Sequence, residues 1–159
     1  MMEVRDFGRR MRELERQLQR QLAHDLPIKV GNLAVRLFER NFQREGFFGR
    51  RWREVQRRIP GTQVYKAVAK RHPKDHERKI LTGRNGNLGR SIQADPHEGS
   101  VTIHSDLDYA AAHNEGTRTA GRSHNVRIPK RQFIGDSPEL EKAVEELVAK
   151  EIDKLFKNM

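Results

Sequence analysis

Val101-Thr102-Ile103-His104-Ser105, followed by Tyr109-Ala110-Ala111-Ala112-His113-Asn114-Glu115-Gly116, decides the class of this fold. The first stretch alternates. Val101 and Ile103 point to one side, Thr102 and His104 to the other, which is the period-two signature of a half-buried strand. The second stretch abandons that period. Asp108 is a suitable helix cap, the three alanines favour a helical turn, and Gly116 supplies a positive-φ stop. Tyr109 and the alanines are expected to face inward. A strand feeding directly into a helical turn, inside a chain that also carries long amphipathic segments, implies an α+β fold.

Upstream, Asp95-Pro96-His97-Glu98-Gly99 has hairpin-loop chemistry. The residues before it are expected to be extended, with Leu88, Ile92 and Ala94 on one face, although Arg90 falls on that face too. Downstream, residues 117–125 read as a polar loop containing Arg118 and Arg122, mobile in the free chain and ordering on assembly. Val126 and Ile128 then return to the sheet before Pro129. The last helix has the clearest start: Ser137 as N-cap, Pro138 in the first turn, Glu139 and Glu141 at its positive end. Leu140, Val144, Leu147, Val148, Ile152 and Leu155 make its apolar stripe.

Two helices open the chain. Phe7, Met11, Leu14, Leu18 and Leu22 recur at helical spacing, with arginines on the other faces. Asp25 is a candidate cap and Pro27 a candidate first-turn residue for a second helix, striped by Ile28, Gly31, Val35, Phe38 and Phe42. The pair reads equally as a hairpin or a bent rod. Gly46-Phe47-Phe48-Gly49 breaks the period. Residues 53–79 read mainly as an exposed excursion, with a short ordered piece at Val64, Tyr65 and Val68. The expected organisation is one domain, 1–159: N-terminal helices 1–45, a basic excursion 46–80, a sheet with a short helical turn 81–136, and a C-terminal helix 137–158.

Of the 159 residues only 35% are hydrophobic and 34% are charged, with a mean hydropathy of −0.91. So thin an apolar supply implies a partner surface, an oligomer, or long solvated segments. No apolar run is long enough for a transmembrane helix, and the N-terminus, Met1-Met2-Glu3, opens a charged helix without a signal-peptide core. The expectation is folding in the cytoplasm with no membrane partner. With no cysteine, disulfides, thiolate zinc and thiol nucleophiles are excluded. The net charge of +10 lies entirely in the first half: residues 1–80 hold 21 Lys+Arg against 10 Asp+Glu, and residues 81–159 hold 11 against 12. That asymmetry raises a polyanion as partner, against the plain alternative of a solvated basic face.

Catalytic readings are weak. His72 and His76 share a helical spacing but lack a third zinc ligand. His113-Asn114 and His124-Asn125 loosely suggest a His–Asn–His nuclease, without an evident metal-ligand set. Gly83, Gly86 and Gly89 depart from the phosphate-loop pattern and fit turns better. No enzyme chemistry, metal or cofactor is expected. Trp52 lies among Arg50, Arg51, Arg53, Arg57 and Arg58. It reads either as an aromatic anchor, the preferred reading, or as a base-stacking residue beside phosphate-binding arginines. Trp52, Arg50, Arg51, Arg53, Arg118 and Arg122 are therefore the candidate assembly or DNA-facing residues.

Four segments together resemble the phage virion morphogenesis family, which includes tail-completion proteins of Mu-like and related tailed phages. They are Asn41-Phe42-Gln43-Arg44-Glu45-Gly46-Phe47 with Trp52; Ile80-Leu81-Thr82-Gly83 with Gly86-Asn87-Leu88-Gly89-Arg90-Ser91-Ile92; the strand and helical turn quoted first; and Ile128-Pro129-Lys130-Arg131-Gln132-Phe133-Ile134-Gly135. The resemblance implies a small antiparallel sheet packed by N- and C-terminal helices, similar to tail-terminator and neck proteins. It implies a structural role without catalytic residues, at tail completion or the head–tail junction of a phage or prophage. The implied state is an oligomeric ring, the implied partners are head, neck or tail proteins with non-specific DNA contact, and the implied location is host cytoplasm during assembly and then the virion. Within it Tyr109, Gly116, Pro129 and Phe133 are structural positions. Two rivals remain: a sequence-independent nucleic-acid-binding protein outside the virion, and the nuclease.

Overall fold

The computed structural model describes residues 4–157. The expected helix opening at Met1 and the helix end at residue 158 lie outside the described residues. The fold is α+β, mostly helical with small two-stranded sheets. It divides into two compact units: residues 1–35, 93–103 and 136–159 form unit 1, and residues 36–92 and 104–135 form unit 2.

The two opening helices are one rod with a defect. Helix α1 (Val4–Arg20) passes through a π-helical turn (Gln21–Asp25) into α2 (Leu26–Arg44). Both residues flanking the π turn are in the right-handed helical region, so Asp25 caps nothing. Pro27 supplies the reason. It lacks the N–H that would serve the Ala23 carbonyl, and a helix absorbs that loss by widening locally. The Ala23 carbonyl instead accepts from Gly99 N–H at 3.0 Å, at the tip of the hairpin of β3 (Ile92–His97) and β4 (Ser100–Ser105). In unit 1 this hairpin lies so close to α2 that a Cβ at Gly31 would stand 2.8 Å from the Ala94 Cβ. The alternation holds for Val101, Thr102 and Ile103, half-buried, exposed, half-buried, but His104, expected outward, is half-buried as well. Strand β3 runs through Pro96 to His97, so the connecting loop is shorter than expected.

The C-terminal helix, α6 (Pro138–Lys157), begins as read: Ser137 Oγ accepts from Leu140 N–H at 3.0 Å. Its apolar stripe is only half-buried, and its one fully buried residue is Glu151. Glu151 Oε1 receives Lys154 Nζ at 2.7 Å, and Oε2 receives Gln21 Nε2 at 3.4 Å and Lys29 Nζ. The Lys154 and Lys29 ammonium groups hold its carboxyl down at about 2, against the opposing effect of burial. A depressed carboxylate contributes its full stability above the unfolded value, about 4.3, and loses it as pH falls towards the folded one. Melting of unit 1 is therefore expected to weaken between about pH 4.3 and 2, and Glu151→Gln to flatten part of that dependence in thermal melts taken across the window.

Unit 2 holds most of the dry core. Phe38, Phe42, Phe47, Trp52, Ile80, Leu88, Ile92, Ala110 and Phe133 are buried there, whereas Leu26 and Ala34 alone among the buried aliphatic and aromatic residues described belong to unit 1. Its backbone departs from the sequence reading in three places. Residues 87–90 are a helical turn, α4 (Asn87–Arg90), entered through a left-handed Gly86. The turn buries Leu88 and leaves Arg90 exposed, removing the conflict an extended segment would have had. The excursion contains a 3-10 turn (Gln56–Arg58), α3 (Gln63–Arg71) capped by Thr62, and a second 3-10 turn (Pro73–His76). Helix α3 includes the ordered piece expected at Val64, Tyr65 and Val68. The polar loop is an ordered ribbon. Strand β5 (Thr117–Ala120) pairs antiparallel with β6 (Val126–Ile128), Thr117 opposite Ile128 and Ala120 opposite Val126, with an irregularity between. Strand β6 therefore completes a separate ribbon and does not join the β3–β4 sheet. A nearby partner through a tight turn outcompetes a distant one. A third ribbon pairs β1 (Gly46–Phe47) with β2 (Arg50–Arg51).

Candidate functional site

Two of the family-like segments, through Asn41 with Trp52 and through Asn114, meet the backbone strip of a third at residues 132–134. Asn114, on α5 (Ala110–Glu115), uses its side-chain Oδ1 to accept from Phe133 N–H at 2.9 Å and Ile134 N–H at 3.0 Å. Buried Asn41, on α2, donates from Nδ2 to the Phe133 carbonyl at 3.2 Å and accepts from Phe48 N–H at 3.1 Å. Trp52 Nε1–H donates to the Gln132 carbonyl at 2.7 Å. The rings of Phe133 and Trp52 lie 5.2 and 5.5 Å from that of Phe42. Trp52 is thus buried as an anchor, in T-shaped contact with Phe42. The His–Asn motif is a backbone clamp. His124 sits on the β5–β6 turn, and no group of three or more metal-ligating residues converges among the described residues.

Gly116 is where the α5 turn meets the strip. Its φ is +76° with ψ at 159°, and a Cβ there would lie 2.7 Å from Lys130 N. Gly116→Ala is expected to cost about 1–3 kcal/mol, read from chemical denaturation. Pro129 is half-buried beside it. Tyr109 corrects the inward expectation: it is 45% exposed. It precedes the helix in the right-handed region, and Ala110 takes the buried position. Its ring stands edge-on to His113 at 6.0 Å.

The excursion is tied down through Glu45. Arg58 Nη2 and Nη1 donate to its two carboxylate oxygens at 2.6 and 3.1 Å, and Ile80 N–H donates to Oε1 at 2.7 Å. The Arg58 pair, with that N–H, holds the Glu45 carboxyl below the usual carboxylate range despite burial. Nothing in the sequence marked Glu45, because its partners are distant in the chain.

Among the clefts that open on unit 2, two are rich in arginine. The larger, about 840 Å³, lies along the β5–β6 ribbon and the 53–62 segment, and brings together Arg53, Arg118, Arg127 and Arg131 with Glu54 and Glu115. Two of the candidate arginines, Arg53 and Arg118, therefore share a surface. Arg50, Arg51 and Arg122 do not line it. Arg50 and Arg51 are exposed on β2, with the Arg50 guanidinium 5.9 Å from the Phe47 ring centre, and Arg122 is exposed at the ribbon tip. The smaller cleft, about 350 Å³, is bounded by the 78–88 turn, Val55, Arg57, Tyr109 and His113. Arg131 lines both. Sequence reasoning missed Arg57, Arg78 and Arg131 as a group; no spacing signals them.

Among the described residues no helix is long and apolar enough to cross a membrane. The profile of the phage virion morphogenesis family matches residues 5–153. No curated protein and no solved structure gives a significant match. The match spans nearly the whole chain, both units included, so the chain belongs to the phage virion morphogenesis family, and its role lies in phage virion assembly.

Proposed function

We propose that the chain is a structural subunit acting at tail completion or the head–tail junction, and that copies of it join in an oligomeric ring contacting head, neck or tail proteins and, non-specifically, DNA. The observation that carries this is the partly uncovered apolar stripe of α1: Phe7 is 54% and Met11 46% exposed, with exposed Leu22 in the π-helical turn beyond, while Leu14 and Leu18 between them are half-buried. Such a run of apolar side chains is characteristic of an interaction surface. A second copy suits it by charge. Helix α1 carries six arginines against three acids, while α6 carries six acids against four lysines and exposes Phe156. A ring also compensates for the thin core of unit 1.

Light scattering on the purified chain tests the reading. A discrete oligomer is expected, together with its conversion to monomer by Phe7→Glu with Met11→Glu. In complementation of a phage lacking the protein, the same variant is expected to lower particle yield by at least tenfold. Normal yield from the variant would remove the role of α1. The second reading, a nucleic-acid-binding protein outside the virion, is favoured by the arginine-lined clefts. It requires normal particle yield when the chain is absent.

A further inference from the structure

The smaller arginine-rich cleft of unit 2 is a cation-lined hollow without a carboxylate in its wall. Arg57, Arg78, Lys79, Arg84, Arg131 and His113 line it, and Tyr109 stands at its edge. Two of the arginines, buried Arg131 and half-buried Arg57, hydrogen-bond only to neutral carbonyls. Arg131, 8% exposed, donates from Nε to Arg53 O at 3.0 Å and from Nη2 to Glu54 O at 3.4 Å. Arg57 donates from Nε to Asp75 O at 3.0 Å, and from Nη2 to Lys79 O at 2.9 Å and Arg78 O at 2.5 Å. Burial pulls both guanidinium groups below the ordinary arginine value and neighbouring arginines add to it, while Glu54 opposes the shift at both and Glu45 at Arg57. A desolvated charge without a directly bonded counter-charge is costly, so such an arrangement favours an anion from outside.

Two further buried atoms of the lining residues have no hydrogen-bond partner: Arg78 Nε and His113 Nδ1. Outside the wall Asp75 pairs with Arg78 at 3.3 Å and Arg84 at 3.2 Å, one carboxylate shared between two guanidinium groups. Local charge therefore remains strongly positive.

We propose that this cleft binds phosphate groups of a nucleic-acid backbone, with Tyr109 lying against the adjoining sugar or base. Guanidinium forks match the several acceptor oxygens of a phosphate, and arginine beside an exposed aromatic ring is the combination that holds single-stranded nucleic acid. About 350 Å³ lies at the small end of ligand pockets, roughly 300–1,000 Å³, which suits one nucleotide unit better than a folded peptide. The proposal deepens the DNA contact named above by giving it a place and a chemistry. It does not depend on the ring, because the whole cleft belongs to unit 2 of one chain.

The test is fluorescence anisotropy of a short fluorescein-labelled oligothymidylate with the full chain at near-physiological salt. Tyr109→Ala with Arg84→Ala, both at exposed positions, is expected to weaken binding about tenfold. Arg12→Ala with Arg16→Ala on α1 is the control and is expected to change it less than about threefold, as removal of general surface charge does. Equal losses in the two pairs would overturn the proposal, as would absence of oligonucleotide binding. Displacement of the oligonucleotide by polyglutamate as readily as by unlabelled oligonucleotide would make the ligand an acidic peptide. Displacement by low inorganic phosphate would make it free phosphate. Either result overturns the nucleic-acid assignment. A measurement that needs no variant is the histidine ring NMR spectrum of the unaltered chain. The oligonucleotide should shift the His113 resonances and leave those of His24 in place; an unmoved His113 would also overturn the proposal. Failure of α1 variants to assemble, with oligonucleotide binding intact, would separate this site from the ring.

Discussion

Phe133→Ala is expected to lower the stability of unit 2 by roughly 3–5 kcal/mol, the largest effect of any single substitution considered. Phe133 is 1% exposed and packs against Phe42, which in turn packs edge-on against Trp52. Truncation leaves a cavity that cannot collapse easily, because the backbone on either side of the ring is held by Asn41, Asn114 and Trp52. Rigid surroundings are the condition under which large-to-small changes cost most. Trp52 is the sole tryptophan, so its fluorescence in a denaturant titration reports unit 2 directly. Each kcal/mol corresponds to a melting shift of about 2–4 °C at this chain length. A loss below about 1 kcal/mol, the centre of the general distribution for point mutants, would mean that the ring is not at the centre of this core.

Asn41→Leu is expected to cost about 2–4 kcal/mol, since each buried polar group left unpaired costs about 1–3. The replacement keeps the branched shape and removes the amide. It strands Phe48 N–H and the Phe133 carbonyl. Asn114→Leu acts on the same peptide segment from its other side, stranding Phe133 and Ile134 N–H. Because both asparagines position one strip, the double variant should cost less than the sum of the two singles. Additive losses within about 0.5 kcal/mol, the margin for independent sites, would show that the two clamps act separately.

These asparagines mark the boundary of what a linear reading reaches. The α+β class, both amphipathic N-terminal segments, the β4 alternation, the Ser137 cap and the Gly116 stop all depend on neighbours within a few residues. Periodicity and capping chemistry are local, so they survive in a one-dimensional reading. The family resemblance was also readable there, as four short segments in order. Their physical meaning was not. Asn41 and Phe133 are 92 residues apart, and an asparagine on paper is as good a cap or turn residue as a clamp.

The errors have the same origin. Residues 117–120 lack apolar alternation, yet they form a strand because residues 126–128 return within reach and backbone pairing needs no particular side chains. Residues 87–90 looked extended because Leu88 and Ile92 are both buried; a helical turn followed by a strand buries them equally and frees Arg90. The run from Val4 to Arg44 left hairpin and rod equally open until the Ala23 carbonyl, orphaned by Pro27, found Gly99 N–H. The cation-lined cleft is the extreme case. Arg57, Arg78 and Arg131 come from three separate segments, and charge in a sequence carries no address. Local periodicity and composition were enough for the elements, the thin core and the basic first half. Which polar groups meet, and which cations are left without a directly bonded counter-charge, was decided by long-range packing, because desolvation depends on all the atoms that surround a group and not on its neighbours in the chain.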